Sequence, residues 1–264
     1  MSRVIHPTAV VARSAELDDD VQVGPYAIVG AGVRIGKGTR VLPHAVVGER
    51  TRIGAACVLH PFSVTGGEPQ DRRHRGGPAA VEIGDRVDVR EHVTIHGATG
   101  DVPTTVGTGT LLMVGVHVAH DVSVGSHVTL ANGVQLAGHV VVEDHVTMGG
   151  LAAVAQFVRV GESAFVAAGS MVERDVPPFV VVQGDRAKMR GINVVGLERR
   201  EVGKESCREL RRAFRALVTT ELPRREALDA FTSGDPYANR FARALAAALE
   251  APPTGRARSK LHRA

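Results

Sequence analysis

The 264-residue chain has no Trp, two Tyr and seven Phe, so aromatic residues make up only 3% of it. A domain of this size ordinarily fills its interior with rings and Leu, and that kind of core is closed to this sequence. Cysteine is equally scarce. Cys57 and Cys207 are too few for a disulfide framework and too far apart for a CxxC metal or redox motif, so both are expected to be packed thiols in a reducing compartment. No apolar run reaches the length of a membrane span, and the opening MSRVIHPTAV has no signal-peptide core. A cytoplasmic protein without membrane insertion is expected. Lysine is rare too: only residues 37, 188, 204 and 260 among 32 basic residues are Lys, leaving 28 Arg and a net charge of +4. Excess Arg suits phosphate or an acidic protein partner. With no interleaved aromatics and no nucleic-acid motif, nucleic acid is not expected as a partner.

What the sequence has instead is Gly, Ala and β-branched residues in a fixed rhythm. Aliphatic residues recur every six positions at Ile5, Val11, Leu17, Val23, Val29, Ile35, Val41, Val47, Ile53 and Leu59. The phase resumes at Ile83, Val89 and Ile95, and again from Val106 through Leu112 and Val118 to Val172. A smaller residue usually follows four positions later. Period six is neither the two of a strand nor the 3.6 of a helix; it reads as one short strand plus one turn. Such units stack into a parallel β-helix, each coil burying its aliphatic row against its neighbours.

Residues 66–80 (GGEPQDRRHRGGPAA) and 97–104 (GATGDVPT) break phase and read as excursions from the coil. The first carries Gln70, Asp71, Arg72 and Arg73, a composition that favours a functional loop. The β-helix is expected over 1–184, ending near Pro177 and Pro178. Helical patterns follow over 185–251, including KESCRELRRAFRALVTTEL, PRREALDAF and PYANRFARALAAALEA. The tail 252–264 is expected to fray.

Three hexads make one coil of eighteen residues, so residues eighteen apart stack at the strand spacing of about 4.8 Å. His120 then lies beneath Gly138 and Gly138 beneath Gln156, with Asp121 beneath His139. His117 precedes the same corner. This column has the parts for acyl transfer. An imidazole can accept the proton of an attacking hydroxyl, and a carboxylate can fix its tautomer. A glycine lets a backbone N–H approach a developing oxyanion. No Ser or Cys nucleophile accompanies His120, so direct attack by the acceptor is favoured over an acyl-enzyme. Turns of this kind also tolerate His for no chemical reason, and His127 and His145 are read as such surface residues. A non-catalytic scaffold would leave the column unexplained. No metal is assigned, since His117-x-x-His120 and His139-x5-His145 are weak zinc patterns.

The segments IHPTAVV, EPQDRRHRG, VEIGDRVDVREHVTIH, VGVHVAHDVSVG, NGVQLAGHVVVEDHV, AQFVRVG, DVPPFVVVQGD and GINVVGLERR together resemble the acyl-[acyl-carrier-protein]–UDP-N-acetylglucosamine O-acyltransferases. These are hexapeptide-repeat enzymes of the first step of lipid A synthesis, and the resemblance covers almost the whole chain. It implies a mainly β fold, a left-handed parallel β-helix of hexapeptide repeats followed by a small α-helical C-terminal domain. It also implies a homotrimer with sites at subunit interfaces, acyl carrier protein as donor and a UDP-sugar as acceptor. No cofactor is implied beyond the donor's phosphopantetheine thioester. By resemblance His120 is the general base for the sugar 3-hydroxyl, Asp121 supports it and the Gly138 amide serves the oxyanion. His117 and His139 position donor or acceptor, as do Gln70, Asp71 and Arg73. Gln156, Asn193, Arg199 and Arg200 hold the uridine diphosphate, and Ala168 ends the acyl tunnel. Three positions depart from the family: Ala155 where His is usual, Val195 where an acidic residue is common, and Glu201 where Gly often follows the Arg pair. The alternative they raise is a divergent paralogue acylating another nucleotide-linked sugar on O or N.

Overall fold

A computed structural model describes residues 3–76, 80–219 and 240–251 of the chain. The hexads become strands of mostly two residues, from β1 (Val4–Ile5) to β28 (Lys188–Ile192). In each, the periodic aliphatic residue faces inward and its predecessor outward: Val23, Val29 and Ile35 are buried beside exposed Gln22, Ile28 and Arg34. Successive strands belong to three different sheets, of eleven, nine and eight strands, so the chain winds round a triangular prism. Pairing is parallel, and hydroxyls ladder up the corners at the same interval, as where Thr39 caps the Cys57 amide eighteen residues on. The core is a column of Val, Ile, Leu and Ala running the length of the prism. Each fully buried aliphatic side chain contributes about 1.5–3 kcal/mol, which makes up for the scarcity of rings.

The two excursions are visible as jumps in register. Arg52 stacks on Glu82, 30 residues later, and Thr94 on His117, 23 residues later. The first loop leaves after β11 (Val64–Gly67), and the second lies between β14 (Thr94–His96) and β15 (Thr104–Val106). The coils above and below close round them, and the solenoid resumes in phase.

The β-structure runs past residue 184. After β27 (Val180–Gln183), β28 pairs antiparallel with it at the end of the eleven-stranded sheet. A hexad search cannot see such a strand, because it turns back instead of climbing. Among the described residues three α-helices follow: α1 (Val194–Arg199), α2 (Lys204–Phe214), which runs on into a π-helical segment Arg215–Thr219, and α3 (Arg240–Glu250). Leu197, Leu210 and Leu245 are fully buried, and Phe241 packs edge-on against Phe179 with ring centroids 5.3 Å apart. The PRREALDAF segment and the tail 252–264 lie outside the described residues.

Candidate active site

His120 and Asp121 form the turn between β17 (His117–Val118) and β18 (Ser123–Val124), and Gly138 and His139 form the same turn one coil on. The His139 amide donates to the His120 carbonyl at 3.1 Å, and the Phe157 amide to the Gly138 carbonyl at 3.2 Å, so the three turns stack. Asp121, His139 and Phe157 occupy matching left-handed positions, with φ of 60°, 61° and 64°. That backbone region is costly for L-residues with side chains, but it aims all three outward from one corner.

His120 is buried, with its side chain 5% exposed. Its Nδ1 lies 2.7 Å from Asp121 Oδ2. The same carboxylate accepts the Thr99 amide at 2.9 Å and the Thr99 hydroxyl at 2.7 Å, while the Asp121 amide donates to Thr104 Oγ1 at 2.9 Å. Burial pushes the Asp121 carboxyl up, but the hydrogen bonds from Thr99 and His120 outweigh it and hold it below its ordinary value. The carboxylate therefore stays ionised and orients the ring. Gly138 lies against the other edge: a Cβ built there would stand 2.6 Å from His120 Cε1 and 2.8 Å from Nε2. Among the described residues no protein group accepts from the Gly138 amide. The arrangement presents a buried imidazole, oriented by a carboxylate on one side, with an unspent backbone donor on the other.

His139 crosses His120 edge-to-face at 5.2 Å and stacks flat on Phe157 at 4.6 Å. Its Nε2 is 3.6 Å from Asp121 Oδ2. His120, Asp121 and His139 are the trio of donors among the described residues that could hold a metal ion, their ligand atoms lying within 4.8 Å of one another. In this geometry the Asp121 oxygens are engaged by Thr99 and His120, which suits proton handling. A cavity of about 780 Å³ opens beside them, lined by Asp71, Arg73, His74, Thr99, His139 and Phe157. Asp71 and Arg73 form a two-pronged ion pair, with contacts of 2.9 and 3.2 Å. That guanidinium and the Arg73 amide hold the Asp71 carboxyl down to about 2. Gln70 is exposed on the same loop.

The remaining sequence-derived candidates divide into two groups. His117 lies just before the column, with its Nδ1 2.8 Å from Thr94 Oγ1 and its pKa held below the ordinary imidazole value by burial and by His120. Gln156 is exposed at the turn above Gly138. Asn193, Arg199 and Arg200 belong elsewhere in this subunit. Asn193 caps α1: its Oδ1 accepts the Gly196 amide at 3.0 Å and its Nδ2 donates to the Ser163 carbonyl at 2.8 Å. Arg200 is paired with Glu162 at 2.7 Å and bonded to the Ser163 hydroxyl, at the turn before β25 (Phe165–Val166). That turn joins the eight-stranded to the eleven-stranded sheet, a different corner from that of His120. Arg199 is exposed at the end of α1, and Ala168 is exposed at a turn of the third corner. His127 and His145 stack on each other at 5.2 Å, on the same corner as Arg200 and away from the column.

Four residues of the site escape sequence reasoning. Thr99 and Thr104, which fix Asp121, sit in or beside an out-of-phase excursion, so no spacing rule reaches them. Phe157 was within reach, because it stands eighteen after His139. His96 is buried and stacks edge-on against His117 at 4.8 Å, but the register jump hides that contact.

Comparison with known proteins gives the family of the chain. Residues 175–251 match the family model described as Udp N-acetylglucosamine O-acyltransferase, domain 2, and residues 14–49 match the bacterial transferase hexapeptide model. The chain is 42% identical over 257 residues to the acyl-[acyl-carrier-protein]–UDP-N-acetylglucosamine O-acyltransferase of Janthinobacterium sp. (strain Marseille), covering 96% of this chain and 98% of that protein. It is 51% identical to the enzyme of the same name from Alkalilimnicola ehrlichii, over 81% of this chain and 83% of the relative. Among solved structures, LpxA from Acinetobacter baumannii superposes with a TM-score of 0.88 at 36% identity, covering 94% of this chain and 96% of that one. The chain is an acyltransferase and belongs to the acyl-[acyl-carrier-protein]–UDP-N-acetylglucosamine O-acyltransferase family.

Proposed function

We propose that this enzyme transfers a 3-hydroxy fatty acyl group from the phosphopantetheine thioester of acyl carrier protein to the 3-hydroxyl of UDP-N-acetylglucosamine, the reaction that opens lipid A synthesis. The observation that carries the mechanism is the His120 ring held between the Asp121 carboxylate and the Gly138 amide. His120 Nε2 takes the proton of the sugar hydroxyl as its oxygen attacks the thioester carbonyl. Asp121 steadies the imidazolium that results. The carbonyl oxygen becomes an oxyanion, and the Gly138 N–H donates to it. When the tetrahedral intermediate collapses, the C–S bond breaks and the departing thiolate takes the proton back from His120. No acyl-enzyme is formed and no metal or organic cofactor takes part.

Asp71, Arg73 and Gln70 on the first excursion, with His117 and His139, position the two substrates at the cavity. Asn193, Arg199, Arg200 and Gln156 serve the uridine diphosphate, Arg through charge and paired donors. Because Arg200 stands at a different corner from His120, the nucleotide and the base of one reaction come from two subunits. This supports a homotrimer with shared sites, and Ala168 ends the acyl tunnel in that assembly. No helix among the described residues is long and apolar enough to cross a membrane, and the substrates place the reaction in the cytoplasm. Val195, 59% exposed two residues from Asn193, favours a second reading in which the acceptor is a different nucleotide-linked sugar.

A mass-spectrometric acylation assay separates the readings. UDP-N-acetylglucosamine is offered with 3-hydroxyacyl carrier proteins of several chain lengths, beside a His120→Ala control. A mono-acylated product that falls by about 10²–10⁴-fold in the control supports the proposal. An unchanged rate in the control overturns the base assignment. Product only with another nucleotide sugar favours the second reading.

A further inference from the structure

His96 takes no part in the scheme above, yet it is one of the few buried polar residues among those described, 8% exposed. It ends β14, the strand on which β17 stacks, so Thr94 and His96 together form the ground beneath His117. Thr94 grips one edge of the His117 ring, with its hydroxyl 2.8 Å from Nδ1. His96 meets the same ring edge-to-face, with centroids 4.8 Å apart and planes at 79°. Beneath His96 lies Gly67, its partner in the ladder at a point where the register slips. A Cβ at Gly67 would come within 3.2 Å of His96 Cδ2, so the imidazole occupies the room that a side chain at 67 would need. The Gly97 amide, immediately after His96, bonds the Gly67 carbonyl at 2.8 Å. Both excursions thus leave the solenoid from this pair of residues, one of them carrying Asp71 and Arg73 into the cavity.

A buried imidazole is expensive unless its nitrogens are satisfied. Among the described residues His96 Nδ1 has no hydrogen-bond partner. Leu would fill the space without that penalty, but it could not offer a flat face at right angles to a second ring. The His96 site is therefore costly for stability and well shaped for orientation.

We propose that His96 is a positioning residue for substrate binding: wedged over Gly67, its ring sets the rotamer of His117 and so aims the His117 imidazole at the ligand. The consequence for catalysis rests on the reading of His117 as a substrate-binding group, whereas the orientation of His117 does not. The full-length enzyme is assayed as His96→Ala, His96→Phe, His117→Ala and the double variant His96→Ala/His117→Ala. His96→Ala should raise KM for the substrate that His117 contacts by about tenfold while kcat stays within about threefold. His96→Phe keeps the ring and should restore KM to near the wild-type value. In the His117→Ala background the His96→Ala change should cost less than about twofold, because its route of action is gone. In parallel, the ring ¹⁵N signals of His117 should move in His96→Ala and return in His96→Phe. Should His96→Ala fail to fold, Gly67→Ala displaces the same ring by a few tenths of an ångström and should raise KM about two- to fivefold.

Equal cost of His96→Ala with and without His117, loss in His96→Phe as large as in His96→Ala, or immobile His117 signals would each overturn the proposal. Moving His117 signals together with a kinetically silent His117→Ala would uphold the positioning and overturn only the substrate role of His117.

Discussion

The contact between Gly138 and His120 makes Gly138→Ala the sharpest single test of the site. The new methyl would stand 2.6 Å from Cε1 and 2.8 Å from Nε2, where carbon contacts normally settle at about 3.5–4.0 Å. The backbone gives little relief, because the Gly138 carbonyl accepts the Phe157 amide and the His139 amide donates to the His120 carbonyl. The ring must therefore retreat by roughly 1 Å, and it can do so only by stretching or rotating the 2.7 Å bond to Asp121. Asp121 cannot follow freely, being held by two bonds from Thr99 and one to Thr104. A displacement of about 1 Å at a reacting group costs about 10²-fold in rate. The strained rotamer costs about 0.5–1.5 kcal/mol, so Tm should drop by only a few degrees. The variant keeps its backbone N–H, which means that a loss reports the base and not the oxyanion donor. The assay is kcat/KM by product mass spectrometry alongside thermal unfolding. Activity within about threefold of wild type, with the protein folded, would refute the account of His120 as a ring clamped between glycine and carboxylate.

Three further outcomes follow from the same geometry. Asp121→Asn leaves His120 without its anionic partner, so kcat should fall by about 10²–10⁴-fold with KM little changed; a fall shared equally with KM would point to lost binding instead. Phe157→Ala removes the flat support of His139 and part of the cavity wall. It should raise KM about tenfold and cost about 2 kcal/mol in urea unfolding; an unchanged KM would show that His139 needs no support. The third concerns pH. Burial, with His117 and His120 nearby, lowers the His96 imidazole to about 4 from an ordinary 6.5. The unfolded chain then binds the extra proton first as pH falls, so this residue's contribution to stability is complete above 6.5 and declines between 6.5 and 4. The loss reaches about 3 kcal/mol below pH 4. His96→Phe should flatten that part of the Tm profile, and parallel profiles for the two proteins would refute it.

Much of the architecture was legible because a six-residue period has few physical solutions. One inward aliphatic residue per strand and one turn per hexad specify the coil, and the breaks in phase mark both excursions. Eighteen-residue stacking likewise brought His120, Asp121, Gly138, His139 and Gln156 to one corner from arithmetic alone, since residues on a regular solenoid have no other place to go. The arithmetic fails where the regularity fails. Thr99 reaches Asp121 and His96 reaches His117 only because the excursions close back on the prism, and the path of a loop depends on contacts that its composition does not encode. β28 reverses direction, so it carries no hexad, and it extends the sheet beyond the last periodic residue. Asn193 and Arg200 show a further limit. Chain order sets them near one another, but only the folded structure reveals that their side chains are committed to a helix cap and to Glu162 at a different corner from the base. The sequence by itself determined the repeat, the column and the residue types able to move a proton. Tertiary structure decided which carboxylate oxygen meets which ring, what lies buried behind them and which corner each group faces, because those depend on packing between segments far apart in the chain.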